Sequence, residues 1–268
     1  MSRFLNSRLG LFLMTAVMST VIGAGCRDRS TGNATGSGPP PALASQEKTT
    51  TPTAVGHDPA HPPIDCPLRK QGIDPAHMRP FEDVASYITF LERLDRSAWQ
   101  RPDEVVAALG LTGAETVFDL GAGSGYFSFR FAKALPSGRV IAADTEAEMV
   151  RHIHHKAMTE SVRNIEARLI QPEDPTIPGD ADIVFICDVL HHVPDRLAWL
   201  GKIVSAMRSG TRLVLIEFKE GDLPEGPPES VKIPREQLIE LVTKAGLVLS
   251  SERADLLPYQ TFLVFRKP

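Results

Sequence analysis

Apolar positions along this chain fall into two periods, and from residue 116 onward the two alternate regularly. Short apolar runs at 117–120, 139–144, 165–170, 182–188 and 212–218 have the length and β-branched content of buried strands. The stretches 126–135, 146–159, 195–208 and 234–245 instead repeat apolar residues every three or four positions, as amphipathic helices do. Gly246 stops the last of these. Two final runs, 247–253 and 260–265, read as a hairpin around Leu257-Pro258. Strand and helix alternating at this spacing predicts an α/β fold. Its sheet is mostly parallel, with right-handed crossovers, helices on both faces and one antiparallel strand from the hairpin.

Upstream, Val84, Tyr87, Ile88, Leu91 and Leu94 repeat at helical spacing, so ordered structure is expected to begin near Phe81. In the segment 96–110, Pro102 suits a first helical position, Asp103 and Glu104 favour the helix dipole, and Gly110 suits the stop. These helices precede the sheet and are expected to cover its ligand pocket, with Tyr87 and Trp99 as candidate lining residues. Further back, Arg3 and Arg8 precede the apolar run 9–22, and Gly23-Ala24-Gly25 leads to Cys26. That run is shorter than the roughly 20 residues a membrane span needs and has the form of a secretory signal. It resembles a bacterial lipoprotein signal, which would make Cys26 the lipid-bearing first residue; Gly23 stands where such signals carry a Leu-like residue. The stretch 26–75, rich in Ser, Thr, Gly and Pro, cannot bury enough apolar surface to fold and reads as a tether. His57, His61 and Cys66 within it have metal-ligand chemistry but no fourth partner, and the linker reading is preferred. The expected organisation is a signal over 1–25, a linker over 26–75 and a folded domain over 76–268. Export with attachment to a membrane follows; an uncleaved anchor that leaves the domain cytoplasmic is the alternative.

Charge and cysteine content narrow the function. A net charge of −4, without a basic stripe, gives no electrostatic case for nucleic acid. The three cysteines do not form a disulfide framework, and Cys187 lies in the apolar run 183–187 as a buried thiol.

The chemistry is concentrated where the first strand ends. Asp119-Leu-Gly-Ala-Gly-Ser-Gly125 runs from strand into glycine turn, and an amphipathic helix follows at once. Glycines are needed there because a side chain would block the backbone's approach to a ligand. A dinucleotide-binding turn reads G-x-G-x-x-G, whereas Gly121, Gly123 and Gly125 read G-x-G-x-G, with Asp119 two residues before the first. This pattern resembles motif I of the class I methyltransferases that use S-adenosylmethionine. The resemblance covers about 96–266 and implies a Rossmann-like, mostly parallel seven-stranded sheet. It assigns Asp119, Gly121, Ala122, Gly123 and Gly125 to the cofactor.

Asp144 ends the second strand, where an acid can accept hydrogen bonds from both ribose hydroxyls of an adenosine. That role alone does not separate NAD from S-adenosylmethionine. After the third strand, Glu173 and Asp174 precede Ile177-Pro178; in the family, a polar or acidic pair at this point reads the adenine ring. The segment Asp188-Val-Leu-His-His-Val-Pro-Asp195 resembles the signature after the fourth strand of small-molecule methyltransferases near the ubiquinone and menaquinone biosynthesis group. By that resemblance Asp188 faces the methionine moiety. His191 and His192 lie where an acceptor enters, and either is suited to take a proton near neutral pH. His152, His154 and His155 fall on an exposed helix face. No metal is expected. The reading is a small-molecule methyltransferase working by in-line transfer, and the alternative is a membrane-anchored protein of the same fold that binds the cofactor without catalysis. An NAD-linked oxidoreductase is third, because the glycine spacing is wrong for it.

Overall fold

A computed structural model of the chain describes residues 81–268. The expected signal, Cys26, and the linker with His57, His61 and Cys66 lie outside the described residues. So do the first five residues of the expected folded domain.

Helix α1 spans Phe81–Leu91, three residues short of the periodic pattern. Arg96 ends it, because its Nη1 donates to the Leu91 carbonyl (2.6 Å), one of the acceptors left open at a helix terminus. A five-residue helix α2, Arg96–Gln100, follows and was not predicted. Arg101 then takes a left-handed conformation (φ 42°), and Pro102 opens α3, Pro102–Ala108. The proline explains the break, since its ring disfavours a helical residue before it and it has no N–H to continue the ladder.

The rest follows the predicted alternation. Strand β1 (Thr116–Leu120) leads to α4 (Ser128–Ala134), β2 (Arg139–Asp144) to α5 (Ala147–Thr159), and then comes β3 (Ile165–Leu169). Strand β4 (Ile183–Cys187) leads to α6 (Arg196–Ala206), and β5 (Arg212–Phe218) to α7 (Arg235–Lys244). The hairpin β6 (Val248–Glu252) and β7 (Gln260–Arg266) closes the chain. The sheet has seven strands in the order β3-β2-β1-β4-β5-β7-β6, and β7 alone runs opposite to the other six.

This order fixes where a ligand can go. From β1 the chain winds outward through β2 and β3, then returns to place β4 on the other side of β1. Connections leaving β1 and β4 therefore diverge to opposite faces and open a crevice at their carboxyl ends. The central strands are buried on both faces, which is why they read as continuous apolar runs. Val184 and Ile186 pack beneath α6 and α7, while Ile183 and Phe185 face the layer of α3 and α4. Phe185 lies 4.9 Å, ring centre to ring centre, from both Phe127 and Phe131. Truncating it opens a cavity under the glycine turn. Phe185→Ala is expected to cost about 3–5 kcal/mol of stability, read as a shift in the denaturant midpoint at unchanged slope.

Candidate active site

A cleft of about 1020 Å³ opens at this crevice, near the top of the range of about 300–1,000 Å³ typical of small-molecule sites. Gly121, Ala122 and Gly123 form one wall, with Asp144 beside them and Asp188, His191 and His192 opposite. Seven of the eleven expected cofactor and catalytic residues line it, brought together by the turns that follow β1 and β4 and by the end of β2.

The glycine turn is held tightly. The N–H groups of Gly121 and Ala122 both donate to the Ala143 carbonyl (2.8 and 3.0 Å), which staples the turn to β2. Gly123 has φ +56°, and a Cβ there would press on Leu91 of α1. The cap helix thus lies directly over the turn, and the space between is backbone-wide. Gly125 plays a different part: it packs against Phe129 and Ile153 and does not line the cleft. Ser124 contributes a buried hydroxyl without a partner to the same wall.

Asp144 is bonded by the backbone N–H of Gly123 to Oδ2 (2.8 Å) and of Glu146 to Oδ1 (2.9 Å). The Thr145 N–H also favours the charged form, and a carboxylate's two oxygens have about four acceptor sites between them, so Asp144 can still accept from a ligand. Burial raises its pKa, and the backbone donors work against that rise. Asp119, by contrast, lies beneath the turn and not in it. It is buried, accepts from Ser128 Oγ (2.5 Å) at the start of α4, and is raised to about 7 by burial. Its place in the fold is support for the turn, since the alternation of β1 points it at the α4 layer.

Asp188 sits just past β4 with φ +58°, a costly conformation for a residue with a Cβ. Two fully buried glutamines hold it there. Gln260 of β7 reaches both carboxylate oxygens (2.8 and 2.7 Å), and Gln100 of α2 reaches Oδ2 (3.1 Å). Burial and then the Glu217 charge raise Asp188 to about 6. Neutral amide donors fix the carboxylate without cancelling its charge, which suits it to a cationic ligand group.

The two histidines differ. His191 is nearly enclosed, and its Nδ1 lies 2.7 Å from Oε2 of Glu217, itself buried in β5. The carboxylate can only accept, so Nδ1 carries the proton and the neutral ring keeps Nε2 as an acceptor. Burial acts to lower the His191 pKa, but the bond to Glu217 and its charge outweigh it and the group is raised. The other Glu217 oxygen accepts from the Leu190 N–H (2.6 Å), so one acid holds both the turn and the ring. His192 is exposed, its ring centre 4.0 Å from that of His191, and burial with the neighbouring imidazole lowers it.

Glu173 and Asp174 are not brought to the cleft. Both are exposed on a turn closed by a Gln171–Asp174 bridge, and the loop is tied to α6 through Trp199 Nε1 on Pro172 O (3.0 Å) and Lys202 Nζ on Glu173 O (2.6 Å). Those bonds hold the pair away from the glycine turn. His152 also departs from expectation: it is half-buried and meets Glu92, which accepts from Lys156 as well, joining the end of α1 to α5. Tyr87 and Trp99 line the cleft as expected, and Cys187 lines it too, with Gln100 Nε2 3.1 Å from its sulfur. Glu217, Gln100 and Gln260 escaped sequence reasoning. Only Glu217 left a trace there, as an acid inside the apolar run 212–218.

Residues 118–213 match the family model described as a methyltransferase domain. The chain is 33% identical over 118 residues to a demethylmenaquinone methyltransferase of Lactococcus lactis, covering 42% of this chain and 46% of the relative. It is 27% identical over 173 residues to a trans-aconitate 2-methyltransferase of Rhodopseudomonas palustris, covering 64% of this chain and 62% of the relative. The chain thus spans roughly half the length of these curated relatives. Among solved structures, a SAM-dependent methyltransferase from Aquifex aeolicus superposes with a TM-score of 0.63 at 22% identity, over 67% of this chain and 96% of that one. Residues 118–213 thus resemble a methyltransferase domain, and the described chain has the Rossmann-like class I fold seen in that solved methyltransferase.

Proposed function

We propose that this protein is an S-adenosylmethionine-dependent methyltransferase that acts on a small molecule by direct in-line transfer. The observation that carries the reading is Asp144, a carboxylate held by backbone N–H groups at the rim of a glycine turn too narrow for side chains. Asp144 would take the two ribose hydroxyls, the backbone of Gly121 to Ser124 would lie along the ligand, and Asp188 would face its cationic methionine end. When bound, the cofactor supplies a methyl group already activated by the sulfonium. The chain's own work is then to align the acceptor, exclude water and receive a proton. His191 is the better placed of the two histidines for the last of these. Glu217 fixes its tautomer and orientation, as the third member of a catalytic triad does for its base. The family match to 118–213 and the methyltransferase names of the relatives support the same activity.

Asp144→Ala removes the acceptor of two hydroxyls and frees two backbone donors of the turn. Affinity for S-adenosylmethionine is expected to fall by about 1.5–3 kcal/mol in calorimetry, with the unfolding transition retained. Undiminished binding by this variant would sink the assignment. A second expectation concerns pH. The base must be unprotonated, so transfer to a hydroxyl should decline as pH falls through a midpoint above 6.5, the ordinary histidine value. Glu217→Gln removes the charge that raises His191, so the midpoint should move to lower pH while kcat drops by up to about 10²-fold. A midpoint that stays in place would leave Glu217 a packing role only.

We further propose that the protein is exported and attached to a membrane through Cys26. Arg3 and Arg8 ahead of the apolar run 9–22, and the small residues up to Cys26, support this reading. Intact mass of the protein from native membranes checks it: the expected species lacks residues 1–25 and carries diacylglycerol on Cys26. A full-length, unmodified chain would refute it.

A further inference from the structure

Two arginines, Arg93 and Arg96, line the cleft, and only one has its charge matched. Arg93 pairs with Glu225 and Asp95. Arg96, half-buried at the start of α2, meets neutral groups alone among the described residues. Its Nε donates to Gln100 Oε1, its Nη1 donates to the Leu91 carbonyl (2.6 Å), and the guanidinium covers the Tyr126 ring (4.0 Å). Two of a guanidinium's five N–H groups are thereby used, and three are left for a ligand. A half-buried cation without an anion is costly, so the site favours one that brings its own.

An anion of the chain is near but held off. Burial and the Glu217 charge raise Asp188, and the Arg96 charge acts against that rise. The buried amide of Gln100 stands between the two side chains, its Oε1 accepting from Arg96 Nε and its Nε2 donating to Asp188 Oδ2 (3.1 Å). A direct ion pair would have to be broken before either charge could serve a ligand. With a neutral amide as spacer, cation and anion are fixed side by side and both stay available. The ligand group complementary to such a pair carries a carboxylate and an ammonium on one carbon, as an α-amino acid does. The planar guanidinium fork suits the carboxylate.

Arg96 also belongs to the cap. The same residue ends α1 at Leu91, and Leu91 lies over Gly123 of the glycine turn. A carboxylate bonded to Arg96 would therefore fasten the cap from within the cleft.

Resting on the methyltransferase reading above, we propose that Arg96 and Asp188, set at the two ends of the Gln100 amide, clamp the amino-acid end of S-adenosylmethionine, the arginine on its carboxylate and the aspartate on its ammonium, and that the arginine thereby locks the cap over the bound cofactor.

The full chain is first titrated with S-adenosylhomocysteine; absence of binding would remove the methyltransferase reading, and this proposal with it. S-adenosylmethionine is then compared with its decarboxylated form, which keeps the sulfonium and the amine, and with 5′-methylthioadenosine, which lacks sulfonium, amine and carboxylate. The wild-type chain is expected to bind the whole cofactor about tenfold or more tightly than the decarboxylated form. Arg96→Gln should erase that preference while binding of the decarboxylated form stays within about threefold. Asp188→Asn should weaken both but not 5′-methylthioadenosine. In the wild-type chain, saturating S-adenosylmethionine should slow amide exchange over 84–91 more than the decarboxylated form does. The proposal is overturned if the wild-type chain does not distinguish the two forms, or if both protect 84–91 equally. It is also overturned if Arg96→Gln weakens all three ligands alike, as loss of a residue serving only the fold would, or if Asp188→Asn leaves S-adenosylmethionine binding unchanged.

Discussion

Four carboxylates, those of Asp119, Asp144, Asp188 and Glu217, converge on one edge of the sheet, and managing their charge shapes everything around them. Their bonded partners are a hydroxyl, backbone N–H groups, two amides and one imidazole. Parallel strands put all their carboxyl ends on one side, so acids at strand ends are brought together whether or not repulsion favours it. Burial raises Asp119 to about 7 and Asp188 to about 6, and raises Asp144 as well. A carboxyl raised above its unfolded value favours the fold most below that value, here 3.8, and loses this contribution as pH climbs through the folded one. For Asp119 and Asp188 the loss is complete only above about 7. Near neutral pH the ionised edge therefore works against the fold, and a cationic ligand offsets that opposition. Charge left uncancelled by the chain is what the site has to offer.

The way that charge is held follows from the same constraint. An arginine bonded to Asp188 would fix it equally well but would neutralise it; Gln100 and Gln260 fix it and leave it anionic. Their cost is desolvation of two amides, and Gln260 Oε1 remains buried without a partner. A strained backbone at Asp188 is tolerated because these contacts over-determine it. Glu217 follows the same logic with a different outcome. Its partner is titratable, so the acid both orients His191 and raises it.

Much of this was legible in the sequence, and the boundary has a physical cause. The fold followed from periodicity, because parallel strands buried on both faces must be apolar throughout. The glycine turn and Asp144 were legible because their interactions are local in the sheet: β1 and β2 are neighbours, and turn and acid meet wherever they pair. Gln100 and Gln260 were not. Each reaches Asp188 from more than 70 residues away, and a buried glutamine leaves no periodic mark. The acidic pair Glu173 and Asp174 shows the reverse. The family resemblance gives its sequence position to an adenine contact, but bonds from Trp199 and Lys202 decide the loop's course here, and those belong to α6.

That division runs through the cleft itself. The half that would hold the cofactor is built from strand ends and one turn, stapled by backbone bonds that vary little with side-chain identity. The other half is built from α1, α2 and the 219–228 loop, and its closure rests on side chains: Val84 and Ile88 against Met149, Glu92 with Lys156, and Arg93 with Glu225. Substitutions there change shape and charge without touching the sheet. A scaffold built this way can keep one ligand wall fixed while the opposite wall varies in shape and charge.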